Sequence, residues 1–384
     1  MDMEGLQEKL VPAFEWFHRH PELGYAEFET TARIREILAG LGVEILDTGL
    51  ETGLVARIGN AGIRSGKPVV ALRGDIDGLP ITEDSGLPYA SETPGRMHAC
   101  GHDFHTTAIL GAAILLAEKK ATLPGTVKLI FQPAEETAGG AAKVLATGAL
   151  DDVREIYGLH VSPDLPPGQI GVSPGATFAA VGGFKITIRG KGGHAGYPHL
   201  TRDPIIALGQ IIATAQSIVS RNANPFDPSV VSITHVEGGN TWNVIPPEAF
   251  IEGTIRSLGT EKYKCIAERL GEIVKGVELT SGTRIDYTWN MSSPAIDNDP
   301  ALAVFVADTA QELGLAAGPS IPCMGGEDFS LYQQRIKGVF WNIGIGGAEG
   351  IHHPRFIAGP APLSSAASLL ARLAEKALVR LSST

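Results

Sequence analysis

A nine-residue stretch from Met97 to His105 contains side chains of the kinds that bind divalent metal ions. It holds one thiol, three imidazoles and one carboxylate, which are Cys100, His98, His102, His105 and Asp103. Thiolate, imidazole and carboxylate ligands together favour Zn, Mn, Ni or Co over Mg or Ca. The alternative is a loop in which the histidines are exposed and the cysteine is a small core residue.

Further candidate ligands follow the ends of predicted strands. These are Asp75 and Asp77 after the apolar run 68–72, Glu135 and Glu136 after 127–131, and His160 after 156–159. The carboxyl ends of parallel strands meet at one edge of a sheet, so we expect these residues to converge. With the late pair His352 and His353, they outnumber the ligands of one tetrahedral ion. The sequence therefore predicts two ions, which would polarise a carbonyl and lower the pKa of a shared water.

Glu135 and Glu136 are adjacent, and they come just past a predicted strand. Neighbouring side chains at such a place do not easily point the same way, so one is expected to bind metal while the other faces the water. An unligated carboxylate could take a proton from that water and return it to a leaving nitrogen, as hydrolysis of an amide requires. The alternative is two solvated acids at the start of a loop.

Predicted strands and helices alternate in the first part of the chain. Apolar spacing predicts helices over about 6–17, 32–38, 106–118 and 141–145, and strands over 54–58, 68–72, 127–131 and 156–159. Alternation of this kind is typical of an α/β fold with a mostly parallel sheet and helices on both faces. A late helix near 302–313 and a strand at 339–343 are expected to complete that sheet.

The pattern changes after about Phe178. Strands over 184–188, 230–236, 250–255 and 284–289, with helices over 204–219 and 260–274, follow the order β-α-β-β-α-β of a ferredoxin-like fold. We therefore predict an inserted α+β domain at 179–291 that acts as a lid or dimerisation domain. Residues 1–178 and 292–384 then form a discontinuous catalytic domain. Cys265, which lies in the second of these helices, is expected to be buried in the core.

Composition excludes several classes of protein. The 384 residues carry a formal charge of −11, which argues against nucleic acid as a partner because phosphate binding needs concentrated Lys and Arg. The chain has three cysteines, at widely separated positions, as expected in a reducing compartment. The N-terminal residues carry acids where a signal peptide needs positive charge, and no apolar run has the length of a membrane span. We expect a cytoplasmic protein without a membrane partner.

Nine ordered motifs resemble the metal-dependent amidohydrolases that include hippurate hydrolase, N-acyl-amino-acid aminoacylases and the plant indole-acetyl-amino-acid hydrolases. This family belongs to the wider superfamily of dinuclear aminoacylases and carboxypeptidases. The motifs are Arg73–Pro80, His98–Asp103, Gln132–Glu136, Gly158–His160, Gly190–Ala195, Asn243–Pro246, Gly253–Arg256, Gly325–Phe329 and His352–Pro354. Many peptidases of the superfamily have His-x-Asp where this chain has Asp75-Ile76-Asp77. That departure favours the acyl-amino-acid subgroup and leaves the identity of the metal open.

The resemblance implies a role for each motif residue. It makes Glu135 the general base, gives Asp77 the task of orienting a ligand imidazole, and makes His194 a donor to the oxyanion. His352 is preferred to His353 as a ligand because the family pattern reads His-x-Pro. Asn243, Arg256 and the turn Gly325–Gly326 are implied to bind the substrate and its carboxylate. The implied metal ligands are Cys100, His102, Glu136, His160 and His352.

The sequence thus predicts a hydrolase that holds two divalent ions per chain, Mn, Zn, Ni or Co, and cleaves the amide of N-acyl amino acids to a carboxylate and a free amino acid. Alternatives are a peptidase or an N-carbamoyl-amino-acid hydrolase on the same scaffold, and a metal-binding protein without catalysis. An open edge of the ferredoxin-like sheet favours a homodimer, with a tetramer as the alternative. His194 could then act in its own chain or in its partner.

Overall fold

The structure is a computed structural model that describes residues 2–59 and 66–383. These residues form two compact units. Unit 1 takes in the described residues of Met1–Gly175, Asp297–Ile321 and Asp328–Thr384, and unit 2 takes in Ala176–Ile296 and Pro322–Glu327. The second unit thus covers 176–296 where the sequence predicts 179–291. It also takes in 322–327, which the sequence places in the first domain, and Ala179 N–H donates to the carbonyls of Cys323 and Gly325 there.

Unit 1 contains the large sheet. Among the described residues, eight strands lie in the order β1-β2-β4-β3-β5-β16-β6-β15, and the neighbouring strands from β4 to β16 are parallel. Their bounds are β1 Glu44–Ile45, β2 Leu54–Gly59, β3 Val69–Asp75, β4 Thr126–Gln132, β5 Glu155–Ser162, β6 Ile170–Gly171, β15 Ala317–Gly318 and β16 Lys337–Gly344. The short strands β7 Gly175–Phe178 and β14 Ile296–Asn298 contain two of the four points at which the chain passes between the units.

Helices cover both faces of this sheet. The bounds are α1 Met3–Arg19, α2 Phe28–Gly40, α3 His102–Glu118, α4 Gly140–Ala146, α7 Pro300–Glu312, α8 Phe329–Gln333 and α9 Leu363–Ser382. One face packs α3 and α9 against alternate residues of β5, among them Tyr157 and Leu159. On the opposite face Phe329 of α8 lies against Gly158, where an added Cβ would be 2.6 Å from the ring. The central strands are buried on both faces for this reason.

Unit 2 consists of β8 Ala180–Arg189, β9 Gly193–His194, α5 Pro204–Ser217, β10 Ser229–Gly238, β11 Val244–Ile245, β12 Glu248–Ser257, α6 Thr260–Ser281 and β13 Arg284–Ser293. Four of its strands form an antiparallel sheet in the order β10-β12-β8-β13. Alternating residues of β8, such as Phe184, Ile186 and Ile188, pack against α5 and α6. The helix α5 begins as its sequence predicts, with Pro204 in the first turn and Asp203 accepting from Ile205 N–H at 2.8 Å.

The predicted fold class is confirmed: a mostly parallel α/β sheet with helices, and a separate α+β unit in the order β-α-β-β-α-β. Two local predictions were wrong. The helix predicted from Thr106 begins four residues earlier, at His102, and Cys265 is exposed because it lies on the solvent side of α6. No helix in the described ranges is long and apolar enough to cross a membrane.

Candidate metal centre and substrate-binding residues

Cys100 and His102 flank the start of α3. Gly101 between them has φ +89°, and a Cβ at this position would lie 2.5 Å from a methyl carbon of Val161. A residue with a side chain would therefore be strained and crowded here, so glycine is needed for this turn. The helix it opens is buried along most of its length, which places both Cys100 and His102 inside unit 1.

Asp77 organises the loops around these two residues. Its Oδ1 accepts from His102 Nδ1 at 3.2 Å and from the Glu135 N–H at 3.1 Å, while Oδ2 accepts from the Glu136 N–H at 3.0 Å. Both glutamate amides can face one carboxylate because Ala134 before them adopts a left-handed φ of +53°. A single buried side chain therefore sets the orientation of an imidazole and of the loop that carries both glutamates.

The five predicted metal ligands come together in unit 1. The ligand atoms of Cys100, His102 and His160 lie within 4.8 Å of one another, and so do those of Cys100, Glu136 and His352. Glu136 Oε1 is 3.9 Å from His102 Nε2 and 3.4 Å from His352 Nε2. The two groups share Cys100, an arrangement with room for two neighbouring ions.

His352 and His353 point to different surroundings. His352 has φ +64°, and its N–H donates to the Ala99 carbonyl at 2.7 Å, which holds this residue beside Cys100. The ring of His353 instead accepts from the Arg355 N–H at 3.2 Å and lies 3.6 Å from Glu349. Of the two adjacent imidazoles, His352 is the one grouped with Glu136.

The charges of this region favour a cation. Burial, with Glu136 nearby, raises the pKa of the Cys100 thiol well above its usual range. Burial disfavours the charged His102 ring, but Asp75 and the Cys100 sulfur outweigh burial and raise the pKa of that ring. The His102 shift reflects the negative charges around that ring, whereas the Cys100 shift comes mainly from burial. Burial lowers the pKa of His160 to about 3, so this ring is neutral.

The donor atoms also fit metal binding. His160 Nδ1 donates to the Val161 carbonyl at 2.7 Å, so the neutral ring carries a lone pair on Nε2, which lies 3.4 Å from the Cys100 sulfur. His102 Nε2 and Glu136 Oε1 are buried and have no hydrogen-bond partner among the described residues. Buried polar atoms are rarely left without a partner, and a divalent ion would supply one for both.

Glu135 shares His102 with Glu136 as a neighbour, but it also has contacts that Glu136 lacks. Its Oε1 lies 3.4 Å from the Asp328 N–H, which donates to it. The Asp328 carboxylate in turn accepts from Arg73 at 2.9 Å, from Gln132 at 2.8 Å and from the Ala141 N–H at 3.0 Å. Burial raises the pKa of Asp328 to about 6, although Arg73 opposes this. Buried polar contacts thus fix Asp328, whose N–H donates to Glu135.

Asp75 and His105, which the sequence offers as candidate ligands, are hydrogen-bonded to each other. His105 Nδ1 donates to Asp75 at 2.6 Å, and its Nε2 accepts from the Val161 N–H at 2.9 Å. Asp75 is also paired with Arg73 at 2.5 Å, and both side chains are fully buried. The abundance of His and Asp in these motifs indicates a buried polar cluster. Only the fold shows which of these residues bond to one another and which belong to the proposed ligands.

The remaining predicted site residues belong to unit 2. Strand β9 pairs with β11 so that His194 lies opposite Val244, and the Ala195 N–H donates to the Asn243 carbonyl at 3.1 Å. Both His194 and Asn243 are exposed. His194 Nδ1 accepts from the Gly196 N–H at 3.0 Å, so the neutral ring carries its proton on Nε2. This pair of strands therefore presents a ring N–H donor beside an amide side chain.

Arg256 forms a second group with the turn after Cys323. Its Nη1 donates to the Met324 carbonyl at 2.7 Å, and the Gly325 N–H donates to the Cys323 sulfur at 3.2 Å. A Cβ on Gly326 would lie 2.8 Å from the Ser293 hydroxyl, so this position favours glycine. The half-buried guanidinium and the Gly325–Gly326 turn are neighbours within unit 2.

Comparison with known proteins gives one consistent result. The model of peptidase family M20/M25/M40 matches residues 71–376. The chain is 46% identical to an N-acetylcysteine deacetylase of Bacillus subtilis, covering 97% of each protein, and 39% identical to IAA-amino acid hydrolase ILR1-like 4 of Arabidopsis thaliana, covering 96% of this chain and 87% of that one.

A solved structure agrees with these matches. The YXEP protein of Bacillus subtilis, described as a dinuclear metal-binding peptidase from family M20, superposes with a TM-score of 0.89 at 40% identity over 99% of each chain. The resemblance predicted from the motifs is thereby confirmed. Since the family model spans most of the chain, this protein belongs to peptidase family M20/M25/M40.

Proposed function

We propose that this hydrolase cleaves the amide bond of N-acyl amino acids and releases a carboxylate and a free amino acid. The observation that carries the proposal is the gathering of one thiol, three imidazoles and two carboxylates, Glu135 among them, into overlapping groups of potential ligand atoms. Relatives named as an N-acetylcysteine deacetylase and an IAA-amino acid hydrolase, which match nearly the whole chain, support this substrate class.

Five residues would hold two divalent ions, and Mn, Zn, Ni or Co suit their chemistry. When bound, such ions polarise the acyl carbonyl and lower the pKa of a water molecule. The residues are Cys100, His102, Glu136, His160 and His352. Asp77 would keep the His102 ring in the tautomer whose Nε2 is the ligand atom, because its carboxylate accepts the Nδ1 proton.

Glu135 would act as the general base. It is not among the five proposed ligands, and its Oε1 accepts the Asp328 N–H, which orients the carboxylate. In this role Glu135 takes a proton from the attacking water and later delivers it to the leaving nitrogen of the amide. Adjacent glutamates with different neighbours support this division of labour.

Residues of unit 2 would bind the rest of the substrate. His194 carries its ring proton on Nε2, which suits donation to the oxyanion that forms when the carbonyl is attacked. Asn243, next to the strand that pairs with β9, offers an amide donor. Arg256 and the Gly325–Gly326 turn would hold the free carboxylate of the amino acid, since a guanidinium has a fork geometry suited to a carboxylate.

We also propose a homodimer, with a tetramer as the alternative, in the cytoplasm. Support for pairing comes from the edge strand β10 of the unit 2 sheet and from exposed apolar side chains near the paired strands β9 and β11, such as Tyr197, Val244 and Trp242, which is 91% exposed. The three cysteines are free, in keeping with a reducing compartment.

A substrate panel tests the proposal. Acetyl, benzoyl, indole-acetyl and carbamoyl amino acids and a set of dipeptides are offered to protein loaded with Mn²⁺, Zn²⁺, Co²⁺ or Ni²⁺. Release of a free amino acid from the acyl compounds, lost on chelation and regained on adding metal, is the expected result. Full activity after complete metal removal would overturn the mechanism, and exclusive cleavage of dipeptides or carbamoyl compounds would overturn the substrate class.

A further inference from the structure

Glu27 is a fully buried glutamate of unit 1, and it directly precedes α2. Its Oε1 accepts from the Ala134 N–H at 2.8 Å, and its Oε2 has no hydrogen-bond partner among the described residues. Burial raises the pKa of this carboxyl group, and Asp77 nearby acts in the same direction. Burial of a carboxyl group costs free energy, so a glutamate retained here, in contact with the backbone of the loop that carries Glu135 and Glu136, points to a function of that contact.

The contact falls on the residue that turns the glutamate loop. Ala134 has φ +53°, a conformation that residues with a side chain seldom adopt. Because of this turn, the next two N–H groups both reach Asp77, at 3.1 Å for Glu135 and 3.0 Å for Glu136. The Ala134 N–H points instead to Glu27. The three consecutive amides are thus held by two buried carboxyl groups.

The chain around Glu27 is packed against the same loop. A Cβ on Gly24 would lie 3.1 Å from the Ala134 Cα and 3.4 Å from Asp77 Oδ2, so glycine permits this close approach. The Gly78 N–H donates to the Glu22 carbonyl at 2.7 Å, which fastens the segment to the residue after Asp77. Glu27, Asp77 and Ala134 therefore form one compact support in unit 1.

Capping of α2 does not account for Glu27. Its side chain makes no capping hydrogen bond to that helix. Glu22 performs that task, since its carboxylate accepts from the Glu29 N–H at 3.1 Å and from the Thr30 N–H at 2.8 Å. Two glutamates of one short segment thus have separate partners, one in the helix and one in the catalytic loop.

We propose that Glu27 is a positioning residue that holds the Ala134 turn and thereby aims Glu136 at the metal ions and Glu135 at the water. The inference rests on the proposed roles of Glu135 and Glu136. It states that a hydrogen-bond acceptor at position 27 is what matters, since the contact is with a backbone N–H. Glutamine can supply that acceptor, and leucine cannot.

The test compares Glu27→Leu and Glu27→Gln with the matched control Glu22→Leu. Hydrogen exchange of the Ala134, Glu135 and Glu136 amides is measured in metal-free protein, and metal affinity is measured by titration with Mn²⁺ or Zn²⁺. Glu27→Leu is expected to speed exchange of these amides about tenfold or more, and to weaken metal binding roughly 10- to 100-fold. Glu27→Gln should stay within about threefold of the wild type in both measurements, because its carbonyl replaces the acceptor.

The control separates positioning from general weakening of the segment. Glu22→Leu should speed exchange at Glu29 and Thr30 and leave the loop amides and metal affinity unchanged. If Glu27→Leu does not fold, Glu27→Asp, which is shorter by one methylene, takes its place in both measurements. Loop amides and metal affinity equal to those of the wild type would overturn the inference, as would a glutamine variant as impaired as the leucine variant. The exchange measurement needs no substrate, so its outcome is independent of the proposed function.

Discussion

At the scale of single residues, the Asp77 carboxylate orients three other groups. Asp77 accepts from the His102 ring and from the backbone of both Glu135 and Glu136. Metal ligands need such hydrogen-bond partners, because an imidazole or carboxylate that is free to rotate binds the metal ion more weakly. The differing surroundings of the two glutamates follow from this anchoring. Glu136 approaches His102 and His352, whereas Glu135 approaches the Asp328 N–H.

This difference predicts opposite defects in the two glutamine variants. Glu135→Gln should keep its metal content and fold but lose about a hundredfold or more in turnover, because it can no longer accept the proton of the water. Glu136→Gln should lose metal, since an amide is a poorer ligand than a carboxylate. Metal analysis and kcat measured on the same samples decide the matter. Metal loss in the first variant and metal retention in the second would exchange the two roles.

At the scale of elements, the long connection from β3 to α3 is tied to two other parts of unit 1. His18 of α1 contacts Asp103 at 2.7 Å through Nδ1 and Glu83 at 3.2 Å through Nε2. The Asp84 N–H donates to the Pro354 carbonyl at 2.8 Å, which joins the connection to the segment that carries His352. The first helix is thus linked, through residues 83 and 84, to the segment that carries His352.

This ion pair predicts a loss of stability at high pH. Burial disfavours the charged ring, but Asp103 and Glu83 outweigh it and raise the pKa of His18 to about 9 from 6.5. A raised pKa stabilises the fold fully below about pH 6.5, by on the order of 3 kcal/mol, and this contribution is lost as pH rises through about 9. Urea unfolding of the metal-free protein across this range measures the effect.

His20→Gln is the matched control for His18→Gln, because the His20 ring contacts the Trp16 carbonyl at 2.6 Å. The His18 variant should show a clearly smaller fall in stability between about pH 6.5 and 9 than the wild type, whereas the His20 variant should match the wild type. The fall that remains in the His18 variant reflects other groups, such as His102, whose pKa is also raised. A wild-type midpoint that stays constant over that interval would contradict the assignment of the charge to His18.

At the scale of the whole molecule, the proposed chemistry is divided between units. The candidate metal ligands and Glu135 belong to unit 1, whereas His194, Asn243 and Arg256 belong to unit 2. Unit 2 also carries the exposed apolar residues and the edge strand β10. If these surfaces pair two chains, a site can draw His194 from either chain, and the assignment becomes a question that mixing can answer.

Hybrid dimers test delivery of His194 between chains. His194→Ala and Glu135→Gln chains are each expected to be nearly inactive, and random mixing should restore about a quarter of the wild-type activity if each site uses residues of both chains. Half of the dimers are then mixed, and each has one complete site. Absence of recovery after proven subunit exchange would assign His194 to its own chain. Light scattering that shows a monomer at the working concentration would contradict the proposed dimer.

The sequence by itself determined the kinds of candidate ligand, the position of Asp77, Glu135 and Glu136 just past strand ends, and the order of elements in both units, whereas His160 lies inside β5 and not after it. Periodicity and side-chain chemistry are local properties, so Asp77, Glu136 and His160 could be picked out before any fold was known. The start of α3 could not, since the left-handed turn at Gly101 moves it from Thr106 to His102.

Only the tertiary structure decided which neighbours meet across long stretches of chain. His352 differs from His353 because its N–H reaches the Ala99 carbonyl, more than two hundred residues earlier in the sequence. The proposed role of Glu27 depends on the hydrogen bond that its carboxyl group accepts from the Ala134 N–H. No local sequence pattern distinguishes Glu27 from Glu22. Hydrogen bonds of this kind depend on how distant segments pack, and hydrophobic spacing carries no record of them.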